Sequence, residues 1–213
     1  MAQVLVIGAS RGVGLAVVRR ALGEGHDVRA LARSADKIDI DDPRLEKVSG
    51  DALSAREVRA ALEGIDAVIQ TLGVTARPDT IVAGTKVFSK ATRLLVEAME
   101  AVGVARLIAL TGFGTGDSRN QGGCLWDLGF NLFLGRIYDD KNVQEHLIRH
   151  SSLAWTIARP VILTDGPARS TYRVIVDPRD WRGGFIARGD VAEFLVEQVT
   201  SERYLRQAPV LIG

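Results

Sequence analysis

The plainest chemistry in the chain sits at its start, where Gly8, Gly12 and Gly14 follow the apolar run Val4–Ile7 and precede the apolar positions Val13, Val17, Val18, Ala21 and Leu22. A strand, a glycine turn and an amphipathic helix in that order build an anion cradle. Glycine lets backbone approach a phosphate, and the free N–H groups at the helix start, with the positive end of the helix dipole, hold the charge. The loop residues Gly8, Ser10, Arg11, Gly12, Val13 and Gly14 are therefore the first candidate ligand contacts. A Walker loop would end in Gly-Lys-Ser/Thr, which is absent, and the GxGxxG fingerprint would require glycine at Ser10. The same pattern also serves a plain strand-to-helix turn.

The next segment speaks to which dinucleotide would fit. An acid about 20 residues past the glycines would hydrogen-bond a ribose 2′-hydroxyl, whereas arginine accommodates a 2′-phosphate. The second strand, Asp27–Ala32, ends in Arg33 and Ser34 with no acid at its tip, and Arg11 offers a second guanidinium. Two arginines and a serine suit a phosphate dianion, so NADP(H) is the expected cofactor. Asp51, with Ala52 and Leu53, follows a third strand at Glu46–Ser49, where it could face an adenine or cap the helix at Ser54–Glu57. Thr71, Leu72 and Gly73, after a fourth strand at Asp66–Gln70, make a turn that could pass a cofactor ribose.

These turns need a frame that gathers them. Strands and helices alternate as β-α-β-α-β-α-β, which implies right-handed crossovers and a parallel sheet with ligands outside its carboxyl ends. A helix is predicted over Asp79–Val102, with Asp79 or Thr80 as cap, then a strand at Ala105–Thr111. Residues 117–134 mix glycine and aromatic residues and read as irregular in their first half, a substrate wall or a protein interface. A helix is predicted over Arg136–His150 and a strand over Leu153–Ala158. A small element follows at Tyr172–Val176, then a helix from Asp190 (its expected N-cap) to about Thr200, and a last strand at Pro209–Ile212. The fold class is thus α/β, a three-layer, doubly wound, mostly parallel sheet with a small C-terminal substrate-side extension, read as one domain over 1–213.

Composition excludes several classes. With 213 residues and 46% hydrophobic content, the chain can bury a full core. Its 27 basic and 26 acidic residues leave net charge +1, with no field for nucleic acid or an anionic membrane. The single cysteine, Cys124, rules out an internal disulfide framework and suits a reducing compartment. No apolar run approaches the ~18 residues of a membrane span, and no secretory signal is visible. The expectation is a cytoplasmic protein acting on a small-molecule substrate, with oligomeric state open. His26 is expected in a surface turn. His146 and His150, four apart on one helix, have the spacing of metal ligands but no evident third ligand, so an exposed helix face is expected and no metal site.

The chain resembles the atypical short-chain dehydrogenase/reductases with an NAD(P)H-binding domain, a group including nitrogen-metabolite-repressor-like proteins and biliverdin/flavin reductases. The resemblance spans nearly the whole chain. It is carried by the glycine loop, Gly50-Asp51, Leu107–Thr111, Glu145–Pro160 with its Trp155–Pro160 strand, and Ile186–Ala192. It implies a Rossmann-type fold and nicotinamide carboxamide pairing through backbone groups of Pro160, Val161 and Ile162, with Asp190 in a structural role. Ordinary short-chain enzymes use Ser/Thr, Tyr and Lys, the tyrosine as an acid whose pKa the lysine lowers. Here Thr111 matches the first and Lys141 the last, also a ribose ligand, but the position four before Lys141 is Ile137. Tyr138, three before it, lies on nearly the same helix face. The resemblance thus implies an NADPH-dependent oxidoreductase. A degraded Tyr position fits hydride transfer to a flavin, quinone or related conjugated carbonyl, which needs little protein acid. The alternatives are a non-catalytic NADP-binding sensor or assembly protein and, less well matched, a sugar-nucleotide epimerase or dehydratase.

Overall fold

Side chains alternate across a strand, and β1 (Gln3–Ile7) divides its own between two cores. In the computed structural model, which describes residues 1–73, 84–119, 124–166 and 168–213 (backbone only for 124–134), Val4 and Val6 face one side of the sheet and Leu5 and Ile7 the other. The first face is covered by α1 (Gly12–Gly23) through Val13, Val17 and Val18 and by α5 (Arg188–Glu197) through Phe194 and Leu195. The second is covered by Val58 of α2 (Ala55–Ala61), Leu95 and Met99 of α3 (Val87–Val102) and Ile148 of α4 (Cys124–Arg149). The result is a three-layer doubly wound architecture.

The eight-stranded sheet adds β2 (Asp27–Ala32), β3 (Leu45–Ser49), β4 (Ala67–Gln70), β5 (Arg106–Leu110), β6 (Ala154–Pro160), β8 (Arg173–Ile175) and β10 (Val210–Ile212). Their order is β3-β2-β1-β4-β5-β6-β10-β8, parallel throughout except for β8 against β10. β7 (Ile162–Thr164) and β9 (Phe185–Ala187) form a separate parallel pair just beyond the carboxyl end of β6. The chain runs outward from β1 through β2 to β3, then returns to β4 on the other flank. This reversal opens a crevice at the carboxyl ends of β1 and β4, the place where such sheets take ligands.

Several predicted bounds shift. Residues 84–86 are not helical, so α3 begins at Val87, and the proposed caps Asp79 and Thr80 lie outside the described residues. Gly84 has φ +74°, off the helical path, and the α3 amides of Phe88 and Ser89 donate instead to the Asp140 carboxylate of α4 at 2.9 and 3.3 Å. α4 starts twelve residues before the predicted Arg136, because Gly129 and Gly135 are tolerated within a long helix at about 1 kcal/mol each. Asp190 is not the cap of α5: Ala187 holds that position, and Asp190 lies in the first turn, its carboxylate accepting from the Arg169 and Ser170 amides at 2.7 and 2.9 Å. His26 is not in an exposed turn. At 6% exposure it is folded beneath the α1–β2 connection, its amide donating to Ala21. Among the described residues no helix is long and apolar enough to cross a membrane.

Candidate functional site

The three glycines of the loop are needed for different reasons. Gly8, at φ +88°, passes so close to the β4 loop that a Cβ would stand 2.9 Å from the Thr71 carbonyl oxygen. A Cβ on Gly14 would be 2.2 Å from the Gly8 oxygen, so α1 can lie this tightly on β1 only with glycine there. At Gly12, φ +57°, the nearest atom to a built Cβ is Arg188 Nε at 4.0 Å, leaving bare backbone facing open space. The N-cap Arg11 makes no side-chain bond to the first-turn amides, and that turn holds no acid. An uncapped, unneutralised helix start beneath an open glycine is what a pyrophosphate requires.

The neighbouring turns line up along the same sheet edge. Arg33 is exposed at the end of β2, beside half-buried Ser34. Asp51 does not cap α2; Ser54 does, accepting from the Glu57 amide at 3.4 Å. Asp51 Oδ1 instead accepts from the Leu53 amide at 3.0 Å, and the Leu53 side chain is exposed. Thr71 donates from both its amide (2.8 Å) and its hydroxyl (2.9 Å) to the Ile7 carbonyl, pinning the turn through Leu72 and Gly73 to the end of β1.

The groups read as catalytic gather at the end of β5, but their partners change what they can do. The Thr111 hydroxyl is buried and donates to Glu145 Oε1 at 2.8 Å, so its proton is directed away from the crevice. Lys141 Nζ donates to the Thr111 carbonyl at 2.5 Å and lies between two rings, 5.0 Å from that of Phe88 and 5.4 Å from that of Tyr138. The Tyr138 phenol oxygen rests on Gly112, where a Cβ would be 2.6 Å from it. Burial pushes the Tyr138 phenol up to about 12. Burial also brings the Lys141 ammonium down to about 8, against the pull of Glu145. The phenol is thus shifted upward, opposite to the direction that the acid of ordinary short-chain enzymes needs.

At β6 the backbone donors are engaged. The Val161 amide donates to Leu211 and the Ile162 amide to Gly184, each at 3.1 Å, and the Pro160 carbonyl accepts from Phe113 at 2.9 Å. A carboxamide would thus find backbone carbonyls with a second lone pair here, rather than amides.

Sequence reasoning missed Glu145 and Arg159. Both are buried, and they tie α4 to β6: Glu145 accepts from Arg159 Nε (3.0 Å) and Nη2 (2.6 Å) and from the hydroxyls of Thr111 and Thr115 (both 2.8 Å). Asp117 accepts from the same Nη2 at 2.5 Å, and the guanidinium lies 5.5 Å from the Trp181 ring. The one available signal was a charged residue inside an otherwise apolar strand, which demands a buried partner. A second buried set joins the end of β4 to α3 and α4. There Gln70 Oε1 accepts from Thr92 and Gln144, both at 3.1 Å. His146 and His150 stack 4.0 Å apart on the exposed face of α4.

The chain is 32% identical over 120 residues to sterol demethylase protein B of Methylococcus capsulatus (55% of this chain, 37% of that one). It is 30% identical over 156 residues to the photosystem II assembly factor Ycf39 of Cyanophora paradoxa (73% and 44%), so it spans under half the length of these relatives. The structure of ChuY from Escherichia coli O157:H7, described as an anaerobillin reductase, superposes with a TM-score of 0.81 at 27% identity, covering 99% of this chain and 96% of that one. Residues 8–202 match the NAD(P)H-binding family model, from the first glycine of the cradle to the end of the sheet-covering helices, and the chain belongs to that family.

Proposed function

We propose that the chain is an NADPH-dependent oxidoreductase of the atypical short-chain type, a single domain over 1–213 that reduces a small conjugated acceptor such as a flavin, a quinone or a related carbonyl. The observation that carries this reading is the state of the groups beside Thr111. A simple ketone needs a proton donor at its oxygen as hydride arrives, and a half-buried phenol seated against Gly112, its pKa pushed up by its surroundings, is a poor one. A conjugated acceptor spreads the charge it gains and can take its proton from water. When bound, the nicotinamide would supply the hydride.

The residues then have the following parts. The cradle of Gly8, Ser10, Arg11, Gly12, Val13 and Gly14 holds the pyrophosphate. Arg33, with Arg11, faces the 2′-phosphate, Asp51 to Leu53 line the adenine, and Thr71 to Gly73 pass the ribose that Lys141 also reaches. Carbonyls at Pro160 to Ile162 orient the carboxamide. The likeness to ChuY supports a reductase of a small acceptor. The likeness to an assembly factor favours a second reading, a non-catalytic NADP-binding assembly protein. NADPH oxidation, followed at its absorbance band against flavins, quinones, biliverdin and aldehydes, separates the two. Turnover with a conjugated acceptor and not with simple aldehydes is expected; tight NADPH binding with no turnover across the panel favours the second.

A further inference from the structure

The segment Arg188-Gly189-Asp190 opens α5, and two of its three residues have evident packing roles. A Cβ on Gly189 would stand 2.7 Å from the Ala168 amide nitrogen, so glycine lets the connection between β7 and β8 lie across the start of α5. Asp190 staples that connection through the Arg169 and Ser170 amides, and Ser170 adds a hydroxyl bond to Glu193 at 2.7 Å. Glu193 in turn pairs with Arg20 of α1 at 2.9 Å, which fixes α5 against the helix of the glycine loop. Arg188 is left with no packing role of this kind. Its Nε is the nearest atom to the open side of Gly12, and its guanidinium pairs with Asp165, a side chain 94% exposed.

We propose that Arg188 is a ligand of the dinucleotide pyrophosphate, closing over the anion from the side opposite the α1 amides. The inference rests on the family's dinucleotide lying along the glycine loop and adds a residue, on a different element, that the loop pattern does not contain. Exposed ion pairs are worth about 0–1 kcal/mol, so the Asp165 pair holds the guanidinium ready without competing strongly with a diphosphate dianion. The guanidinium fork matches phosphate oxygens in a way an ammonium does not. The packing of Gly189 and Asp190 then acquires a purpose: it sets where Arg188 stands over α1.

The test is calorimetric titration of wild type, Arg188→Gln and Asp165→Asn with NADP, NAD and ADP-ribose, which share the adenosine, the pyrophosphate and the second ribose and differ in the nicotinamide and the 2′-phosphate. Arg188→Gln is expected to weaken all three by about tenfold to a hundredfold, the scale of a charged hydrogen bond, leaving the NADP-to-NAD ratio unchanged. Asp165→Asn, which releases the guanidinium, should bind at least as tightly as wild type. Should Arg188→Gln fail to fold, Arg188→Lys carries the same comparison, with a smaller uniform loss expected. Wild-type affinity for all three ligands, or a loss confined to NADP, overturns the assignment. Absence of dinucleotide binding by the wild type overturns the cofactor reading together with it, so the two failures are distinguishable.

Discussion

Replacing Glu145 by Gln should destabilise the chain more than any surface change, and the structure says by how much. The substitution keeps size and shape but removes the charge that faces Arg159, a side chain with no exposure. Arg159 would retain only Asp117, whose side chain is 58% exposed and so a weakly coupled partner. An uncompensated buried charge costs about 3–5 kcal/mol. For a chain of this length each kcal/mol lowers the midpoint by about 2–4 °C, giving a drop of roughly 6–20 °C. Arg159→Met should cost less, because the carboxylate keeps two threonine hydroxyls and Arg149, whose Nε lies 3.9 Å away. The double variant should regain much of the loss, since removing both charges of a buried pair is often near neutral. Urea unfolding with a constant slope, run on all four proteins, completes the cycle. Single losses under about 1 kcal/mol, or a double variant equal to the sum of the singles, would refute the claim that these two charges depend on each other.

The remaining predictions address the cradle, the cofactor and the crevice. Arg33→Asp should weaken NADPH far more than NADH in direct titrations; equal loss for both would remove the 2′-phosphate assignment. Tyr138→Phe should leave the turnover of a quinone or flavin nearly unchanged, whereas a collapse in rate would make this phenol the acid after all. Gly14→Ala must drive a Cβ into the Gly8 carbonyl and should cost about 3 kcal/mol or more in denaturant midpoints. Gly23→Ala, at the end of the same helix with nothing within 4 Å, should be neutral or mildly stabilising. Lys141 holds its proton less well folded (about 8) than unfolded (10.5), so the unfolded chain binds more protons between those values. Stability should therefore rise as pH climbs from about 8 to 10.5 and stay flat below. Lys141→Met should abolish that rise in difference melts and stabilise the protein at pH 7.

The glycine loop was legible because each requirement there is local: a left-handed turn, a tight strand–helix contact, an open backbone. The alternation of strands and helices, and with it the parallel sense of the sheet, was legible for a related reason, since apolar runs separated by helical periodicity imply right-handed crossovers. What the sequence hid is long-range pairing. Glu145 reads as one more charge on a helix surface, and only its distant partner in β6 makes it internal. Asp190 has the right residue type at a helix start, yet the donors it satisfies come from the connection beyond β7, not from its own helix. Gly129 and Gly135 resemble breakers, although α4 runs through both. His26 sits among polar turn residues that place it outside, while the tightness of the α1–β2 turn folds it in.

The rotation of α4 is the step on which the chemistry of this site turns. Tyr138, Lys141 and Glu145 follow one another at spacings of three and four, so they share a face, and all three meet the Thr111 loop. Asp140, adjacent to Lys141, accepts from the Phe88 and Ser89 amides at the start of α3. Two attachments, Glu145 to β6 and Asp140 to α3, fix the rotation of the helix. A tyrosine moved by one residue to position 137 would swing about 100° from Tyr138 and exchange with Ile137, now buried in the core. The spacing of three is therefore built into the packing, and the loop after β5 keeps a lysine held on the Thr111 carbonyl beside the Tyr138 ring.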